Sequence, residues 1–95
     1  SLANVGKYDF KDCTRLESIT LGKNLKSIGD SAFNNDRKLK SVNIKSTKLS
    51  KVGKSAFSKI HSKAKFAVPK SKLKKYKKLI KSNGKAPKNV KFIAK

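Results

Sequence analysis

The sequence contains few of the residue types on which most catalytic and metal sites depend. Its 95 residues include one cysteine, one histidine, no tryptophan and no methionine. A single cysteine, Cys13, excludes a disulfide within the chain and a zinc site built from thiolates. No acidic residue follows Asp36, so nothing supports a catalytic triad around His61, and the aspartates lack metal-ligand spacing. We therefore expect no catalytic residue, no cofactor and no metal, with Cys13 as a buried structural residue and His61 on the surface or at a repeat junction.

Long apolar stretches are also absent from the sequence. No run approaches the roughly 18 residues that cross a membrane, so we expect no membrane span. The chain starts at Ser1 with neither an initiator methionine nor a signal-peptide pattern. We expect it to be a mature product or a fragment of a longer protein.

Negative charge is confined to the first part of the chain. Up to Asp36 five basic residues face five acids, whereas the segment from Arg37 to Lys95 has 21 basic residues and no acid, which accounts for the net charge of +21. Such a field attracts polyanions, whether nucleic acid, acidic glycan, wall teichoic acid or anionic lipid. Only two of the 26 basic residues are arginine. Because bidentate recognition of guanine or phosphate favours arginine, this composition disfavours sequence-specific nucleic-acid binding.

A short phrase recurs three times, beginning at positions 5, 28 and 52, that is, at intervals of 23 and 24 residues. The three copies are Val5–Phe10, Ile28–Phe33 and Val52–Phe57. Each is followed by an apolar pattern of the form Leu-x-x-Ile-x-Leu, at 16–21, 39–44 and 63–68, in which Lys63 replaces the first leucine of the third copy. Repeats of this length indicate one structural unit per copy, stacked on its neighbours.

The alternation within these patterns predicts short strands with one buried face. Segments 19–21 and 42–44 alternate apolar and polar residues, and stacking the copies would pair the strands in parallel around a continuous core. The phenylalanines at the end of the three copies, Phe10, Phe33 and Phe57, should stack in one column in the core. The alanine before each should lie in a short helical or 3₁₀ turn, distorted or exposed where Asp9 replaces it. The glycines at 6, 29 and 53 fit a positive φ or a close backbone approach.

The phrase Ile28–Ile44 resembles the BspA-like class of leucine-rich repeats of bacterial surface and secreted proteins. The resemblance covers residues 5–69, and Val68–Tyr76 is similar to the exit from the last repeat into a terminal cap in those proteins. It implies a right-handed solenoid, an extracellular or cell-surface location, and a role in adhesion or ligand capture. Asp9 and Lys63 depart from the pattern, as does the basic excess.

From Ser71 the apolar period becomes helical. Leu73, Tyr76, Leu79 and Ile80 fall on one stripe, which indicates an amphipathic helix over 72–82. Ser71 is the expected N-cap, Asn83-Gly84 the expected stop, and 89–93 a last short strand. We interpret this helix as a lid on the exposed end of the core, the alternative being a basic helix on a membrane surface. The N-terminal edge, Val5–Leu21, has no such lid and is predicted to self-associate.

These observations predict an α/β fold: a short right-handed leucine-rich-repeat solenoid with parallel strands, closed by a C-terminal amphipathic helix and a short strand. The repeat domain would occupy 1–69, with copies at about 5–27, 28–51 and 52–69, and the cap would occupy 70–95.

The predicted function is that of a non-catalytic binding or scaffold module of a bacterial surface or secreted protein, with an unknown protein or glycan ligand or an anionic wall polymer as partner. The alternative is a basic nucleic-acid-binding domain. Burial of the repeat phenylalanines disfavours it, because stacking on bases would be left to Tyr8 and Tyr76. The outward strand residues form the predicted ligand face, and the helix lysines the predicted polyanion contact. The two sets are Ser18, Thr20, Ser41, Asn43, Lys65 and Ala67, and Lys74, Lys75, Lys77, Lys78 and Lys81.

Overall fold

The computed structural model describes residues 4–94 as seven short strands and one C-terminal helical segment. The predicted repeat domain and cap therefore include four residues, 1–3 and 95, that lie outside the described part. The helical segment consists of a 3₁₀ turn (Lys70–Lys72), the helix α1 (Leu73–Lys78) and a π turn (Leu79–Asn83). The strands are β1 (Asn4–Val5), β2 (Ser18–Leu21), β3 (Ser27–Ile28), β4 (Ser41–Ile44), β5 (Lys51–Val52), β6 (Lys65–Val68) and β7 (Lys91–Ala94).

The strands form two parallel sheets, which confirms the predicted repeat fold. One sheet has the order β1-β3-β5 and the other the order β2-β4-β6-β7. Each apolar strand position lies beside its equivalent in the next copy, as in the pairs Ile19–Val42 and Val42–Phe66. Strand β7 pairs with β6 and places Phe92 beside Phe66. The segment after the third repeat thus extends the larger sheet by one strand.

The phenylalanines form the predicted column. The ring centroids of Phe10 and Phe33 lie 5.1 Å apart and the ring planes are nearly parallel, at 1°; those of Phe33 and Phe57 lie 5.2 Å apart at 4°. Phe66 meets Phe57 edge-on at 5.1 Å and stacks on Phe92 at the same distance. Phe33 and Phe57 are fully buried, whereas Phe10 is half-buried because it ends the column. Ring pairs at these distances contribute beyond the apolar area that they bury.

The turn that carries these rings is neither helical nor 3₁₀, contrary to expectation. Ser31 and Asn35 have positive φ values of 53° and 67°. As a result, successive N–H groups point alternately to a carbonyl of the same copy and to a carbonyl of the next copy. The Ala32 N–H donates to the Gly29 carbonyl at 3.3 Å, while the Phe33 N–H donates across the stack to the Ala56 carbonyl at 2.8 Å. The turns therefore form a third hydrogen-bonded ladder, which satisfies backbone groups that a helix would satisfy internally.

In the first copy, Asp9 does not distort this turn. Its N–H donates to the Gly6 carbonyl at 3.2 Å, and the Phe10 N–H donates to the Ala32 carbonyl at 2.8 Å, as in the other copies. The Asp9 side chain is exposed and accepts the Gly6 N–H at 2.7 Å. The turn at Asp9 was expected to be either distorted or exposed; it is exposed and keeps the hydrogen bonds of the other copies.

The repeat glycines provide close approach rather than positive φ. None of the described glycines has a positive φ; the left-handed positions are occupied by non-glycine residues. A Cβ on Gly29 would lie 2.5 Å from the Lys7 nitrogen, and one on Gly53 would overlap the Asp30 backbone. Only a residue without Cβ permits adjacent copies to approach so closely here.

The third repeat fills its leucine position with Ala64, not Lys63. Leu16 and Leu39 each donate an N–H to a carbonyl three residues earlier, at 3.0 Å, and Ala64 does the same to His61 at 3.1 Å. Ala64 is fully buried, whereas Lys63 is exposed. The strand begins eight residues after the phenylalanine in both copies, Phe33 to Ser41 and Phe57 to Lys65, so the third copy has no insertion. Its buried position lies one residue nearer the strand, at Ala64 instead of Lys63.

The C-terminal helical segment lies against the last repeat, with Tyr76 and Ile80 fully buried. The Tyr76 hydroxyl donates to the Ser46 carbonyl at 2.8 Å and accepts the Leu49 N–H at 3.2 Å. Leu73 and Leu79 also pack against the core. The apolar stripe thus contacts protein, which argues against the membrane-surface alternative. Within residues 4–94 no helix has the length and apolarity required to cross a bilayer.

Two details of this segment differ from expectation. Ser71 is not an N-cap: it lies exposed within the 3₁₀ turn, and no side chain caps α1. The helical segment ends at Asn83, one residue beyond the expected range of 72–82; Gly84 has a φ of −72°, and the following residue, Lys85, has a positive φ. The carbonyls of Asn83 and Gly84 accept the Ser55 and Phe57 N–H groups, both at 2.8 Å. These two carbonyls accept the hydrogen bonds that the turn of a fourth copy would accept.

Candidate binding face of the four-stranded sheet

The outward-facing side chains of β2, β4, β6 and β7 form one surface, here called the sheet face. Parallel register aligns these side chains in two rows across the sheet. All six residues predicted from the sequence lie on it, exposed or half-exposed. The first row is Ser18, Ser41, Lys65 and Lys91, and the second is Thr20, Asn43, Ala67 and Ile93.

Lys91 and Ile93 complete the two rows and were missed in the sequence. They belong to β7, whose pairing with β6 brings Lys91 beside Lys65 and Ile93 beside Ala67. Ile93 is 46% exposed, which is unusual for a large apolar side chain in this molecule. The alternation of apolar and polar residues at 90–92 was the available signal, but nothing in the sequence indicated which strand β7 would pair with.

The face changes character from one edge to the other. At the β2 edge its residues are small and uncharged, while at the β7 edge two lysines lie side by side in adjacent strands. Ser18, Thr20 and Ser41 offer hydroxyl groups that can both donate and accept hydrogen bonds. The surface is thus mostly polar and positively charged on one side.

A depression of about 390 Å³ adjoins the carboxyl ends of the strands of this sheet. Asn43 of the predicted ligand face is part of its wall, and Lys23 and Lys45 place two ammonium groups around it. The remaining lining residues are Ile44, Thr47 and Pro69. The depression contains no carboxylate, so its electrostatics favour an anionic or hydroxylated group.

The helix lysines of the predicted polyanion contact are all exposed. They lie on α1 and the following π turn, and no acidic residue occurs in the same half of the chain. Four of them surround a shallow surface beside Ser82, lined by their aliphatic stems; these are Lys74, Lys77, Lys78 and Lys81. Exposed lysines of this kind attract anions over roughly one Debye length, about 8–10 Å, without selecting among them.

The aspartates Asp12, Asp30 and Asp36 accept hydrogen bonds within and between loops. Asp30 accepts the Lys54 N–H at 2.9 Å, and Asp36 accepts the Cys13 N–H at 2.7 Å from the neighbouring copy. Asp12 accepts an amide hydrogen of Asn35 at 2.8 Å. No group of three potential metal ligands occurs within residues 4–94.

Asp36 is unusual because its side chain is completely buried. Its Oδ1 accepts the Cys13 N–H, but its Oδ2 has no hydrogen-bond partner among residues 4–94. Burial raises the pKa of this carboxyl to about 6; the Cys13 N–H opposes this shift, and the nearby Asp12 adds to it. Nothing in the sequence indicated that this carboxyl would be buried.

Cys13 is half-buried rather than buried. Burial raises the pKa of its thiol, and the negative charges of Asp36 and Asp12 raise it further. The thiolate form is therefore disfavoured, which is the opposite of what a nucleophilic cysteine needs. His61 is half-buried, and its Nδ1 accepts the Lys63 N–H at 3.0 Å, a local role at the junction before β6.

Of the two tyrosines considered for base stacking, Tyr76 is buried and cannot serve. Tyr8 is 52% exposed, but the ammonium groups of Lys7 and Lys11 lie 5.1 and 5.3 Å from its ring centroid. Tyr8 lies in the turn ladder, away from the sheet face. An aromatic platform for successive bases is therefore absent from the described residues.

This molecule is a solenoid repeat protein. Its copies are stacked and joined by two parallel sheets and a ladder of turns, and their phenylalanines stack in one column. Comparison with protein families makes the assignment specific: the BspA-type leucine-rich repeat region, described as having six copies, matches residues 1–93. The chain belongs to this family, which indicates a repeat-based protein-interaction module. The family is typically non-enzymatic and is associated with bacterial surface or secreted proteins. No curated protein and no solved structure matched the chain.

Proposed function

We propose that this chain is a non-catalytic adhesion module of a bacterial cell-surface or secreted protein, which uses the sheet face to bind a protein or glycan ligand. The observation that supports this most directly is the sheet face itself. It is a broad, exposed and mostly small-residue surface on a framework hydrogen-bonded in register from Ser18 to Ala94. A surface that is already ordered loses little conformational entropy on binding.

The chemistry of the remaining surface supports a non-catalytic role. The half-buried Cys13 has a disfavoured thiolate, His61 is engaged with the backbone, and the aspartates hold loops. General acid–base catalysis requires a titratable group within hydrogen-bond reach of a bound substrate. The sheet face has no histidine, cysteine or carboxylate to provide one.

The helix lysines would attract anionic ligands from a distance but would not select among them. Their positive field extends the attraction of the β7 edge of the sheet face, where Lys65 and Lys91 lie. Electrostatic steering of this kind raises association rates and weakens as salt is added. The proposed mechanism is therefore shape-based contact on the sheet face with charge assistance from the lysines.

The test is a pair of matched tryptophan substitutions. Ser41→Trp places a bulky ring in the middle of the sheet face, whereas Ser50→Trp places the same ring at an exposed position before β5, in the other sheet. Beads coated with each protein are measured for adherence to immobilised matrix proteins and to neutral and anionic glycans. We expect Ser41→Trp to reduce adherence at least tenfold and Ser50→Trp to leave it within twofold. Equal effects of the two would contradict the proposal.

The net charge of +21 makes nucleic acid the second candidate. Titration with duplex DNA and RNA at rising salt separates the two functions, because attraction between lysine and phosphate alone falls steeply with salt. Tight binding that persists at physiological salt would favour the nucleic-acid function over adhesion.

We also propose self-association at the open N-terminal edge. Phe10, Leu16 and Ile19 are only half-buried there, and Phe10 and Ile19 line a cavity of about 350 Å³. In the turn ladder, N–H groups of each copy donate to carbonyls of the next, as Tyr8 does to Asp30 at 3.1 Å. The turn of the first repeat therefore presents carbonyl groups at this edge. If two molecules met through their N-terminal edges, these carbonyls would face each other and could not form hydrogen bonds, so the contact should form through β2. Sedimentation that stays monomeric at high protein concentration would refute it.

A further inference from the structure

We infer that the sheet face binds a linear, hydroxylated polymer that carries an anionic group on each repeating unit. This inference rests on the proposed function and narrows its ligand. Two lysine pairs carry it, one at each end of the strands: the carboxyl-end pair, Lys23 and Lys45, and the amino-end pair, Lys65 and Lys91.

The amino-end pair lies at one corner of the sheet face, and the carboxyl-end pair lies beside the opposite corner, just beyond the ends of β2 and β4. Lys65 is in register with Ser41 at the start of its strand, and Lys45 lies four residues beyond Ser41. At about 3.3 Å per residue, the pairs are separated by about 13 Å along the strand direction. A single small anion cannot reach both pairs, whereas an extended chain with regularly spaced charges can.

The surface between the pairs favours hydroxylated units over flat bases. Thr20 and Ser41 are exposed there and carry hydroxyl groups, and Ala67 leaves room above the sheet. No aromatic side chain is outward-facing in the described strands of this sheet. Bases bound without stacking partners lose the contact that usually holds single strands, while sugar or polyol hydroxyls can exchange hydrogen bonds with these side chains.

The amino-end pair is also electrostatically uncompensated. Lys65 and Lys91 occupy adjacent strands in register, and like charges in such positions repel. No acidic residue follows Asp36 in the chain, so a carboxylate from the same half cannot relieve the repulsion. An anionic group lying between the two ammonium groups would relieve it, which gives bound anions a preferred place rather than a diffuse cloud.

The test compares two fourfold variants of the full chain with the same change in charge. In the first, Lys23, Lys45, Lys65 and Lys91 are each replaced by Gln; in the second, the control, Lys26, Lys51, Lys54 and Lys59, which are exposed outside the sheet face, are replaced in the same way. Each lowers the net charge from +21 to +17. Far-UV circular dichroism and thermal unfolding verify that both fold.

Dissociation constants are measured at physiological salt for poly(glycerol phosphate), alginate, dextran, poly-glutamate and single-stranded RNA. The first two probes distinguish phosphate from carboxylate as the anionic group. Dextran lacks the charge, and poly-glutamate lacks the hydroxyl groups. We expect binding of at least one of the first two probes, weakened tenfold or more by the face variant and less than threefold by the control, since each exposed ion pair contributes about 1.5- to 5-fold.

Three results would overturn the inference: equal weakening by both variants, which indicates a diffuse field; equal affinity for poly-glutamate; or tighter binding of RNA. The failure of the broader proposal looks different. If the polymers do not bind but adherence to a protein ligand is still lost in Ser41→Trp, the adhesion function stands and only its polymer ligand is wrong. If Ser41→Trp has no effect on adherence either, both fail.

Discussion

Replacing Asp36 with asparagine should stabilise the protein at neutral pH. The buried carboxyl has one oxygen bonded to the Cys13 N–H and one without a partner. Its pKa is about 6 in the folded protein, compared with an ordinary value of 3.8. A difference of this size corresponds to at most about 3 kcal/mol. Because asparagine retains an acceptor for Cys13 but carries no charge, we expect Asp36→Asn to gain about 1–3 kcal/mol at pH 7.

The pH dependence provides the decisive signature. Below about pH 4 Asp36 is protonated in both states, so its burial has little cost. Between 3.8 and about 6 the unfolded chain releases this proton first, which lowers the free energy of unfolding as the pH rises. Above pH 6 the loss is complete. The advantage of Asp36→Asn over the wild type should therefore be near zero at pH 4 and grow to its full value above pH 6.

Urea denaturation at pH 4, 5, 6 and 7, followed by far-UV circular dichroism, measures this difference without adding salt. The control is Glu17→Gln, which changes the net charge equally at a side chain 62% exposed and paired with Lys40 at 3.5 Å. Such exposed pairs contribute between 0 and about 1 kcal/mol. If the stability difference between Asp36→Asn and the wild type is constant from pH 4 to 7, or if the control behaves alike, the buried-acid explanation is wrong.

Three further substitutions test packing, all by the free energy of unfolding in urea. Phe33→Ala removes the middle ring of the phenylalanine column and should cost about 3–5 kcal/mol, whereas Lys77→Ala on the exposed helix face should stay within about 0.5 kcal/mol; equal effects would refute the column. Gly53→Ala forces a Cβ into the backbone of the preceding copy and should cost about 1–3 kcal/mol or more, while Gly6→Ala meets only a movable carboxylate and should cost clearly less. Tyr76→Phe removes the hydroxyl that is bonded to the Ser46 carbonyl and the Leu49 N–H of the second repeat. Because both groups would be left buried without a partner, we expect the free energy of unfolding to fall by about 1–3 kcal/mol; an unchanged stability would mean that water replaces the hydroxyl.

The repeat and its core were readable from the sequence because periodic burial leaves a periodic record. Each copy must present apolar side chains at the same phase to meet its neighbours, so Phe10, Phe33 and Phe57 recur at the intervals that the stack requires. The same reasoning placed the six residues of the predicted ligand face outward, since strand alternation decides which side chains leave the core.

Errors occurred where hydrogen bonds between copies override local preference. The turn around Ala32 has the spacing of a helical turn, yet its N–H groups find partners in the next copy, so the backbone alternates in φ instead. Of the two alternatives expected for the glycines, a positive φ or a close approach, the structure has the close approach of a neighbouring copy at Gly29 and Gly53. At Lys63 strict counting failed because the turn before β6 forms one residue later, with the Ala64 N–H donating to the His61 carbonyl, and this places Ala64 in the core.

Composition and periodicity were sufficient to establish the stacked repeat, the outward strand residues and the concentration of positive charge after Asp36. These properties depend on residue type and spacing along one chain. Which strand lies beside which, and which groups leave water, depend on contacts between distant segments. That is why the pairing of β7 with β6, the two lysine pairs of the sheet face and the burial of Asp36 became visible only once the copies were assembled.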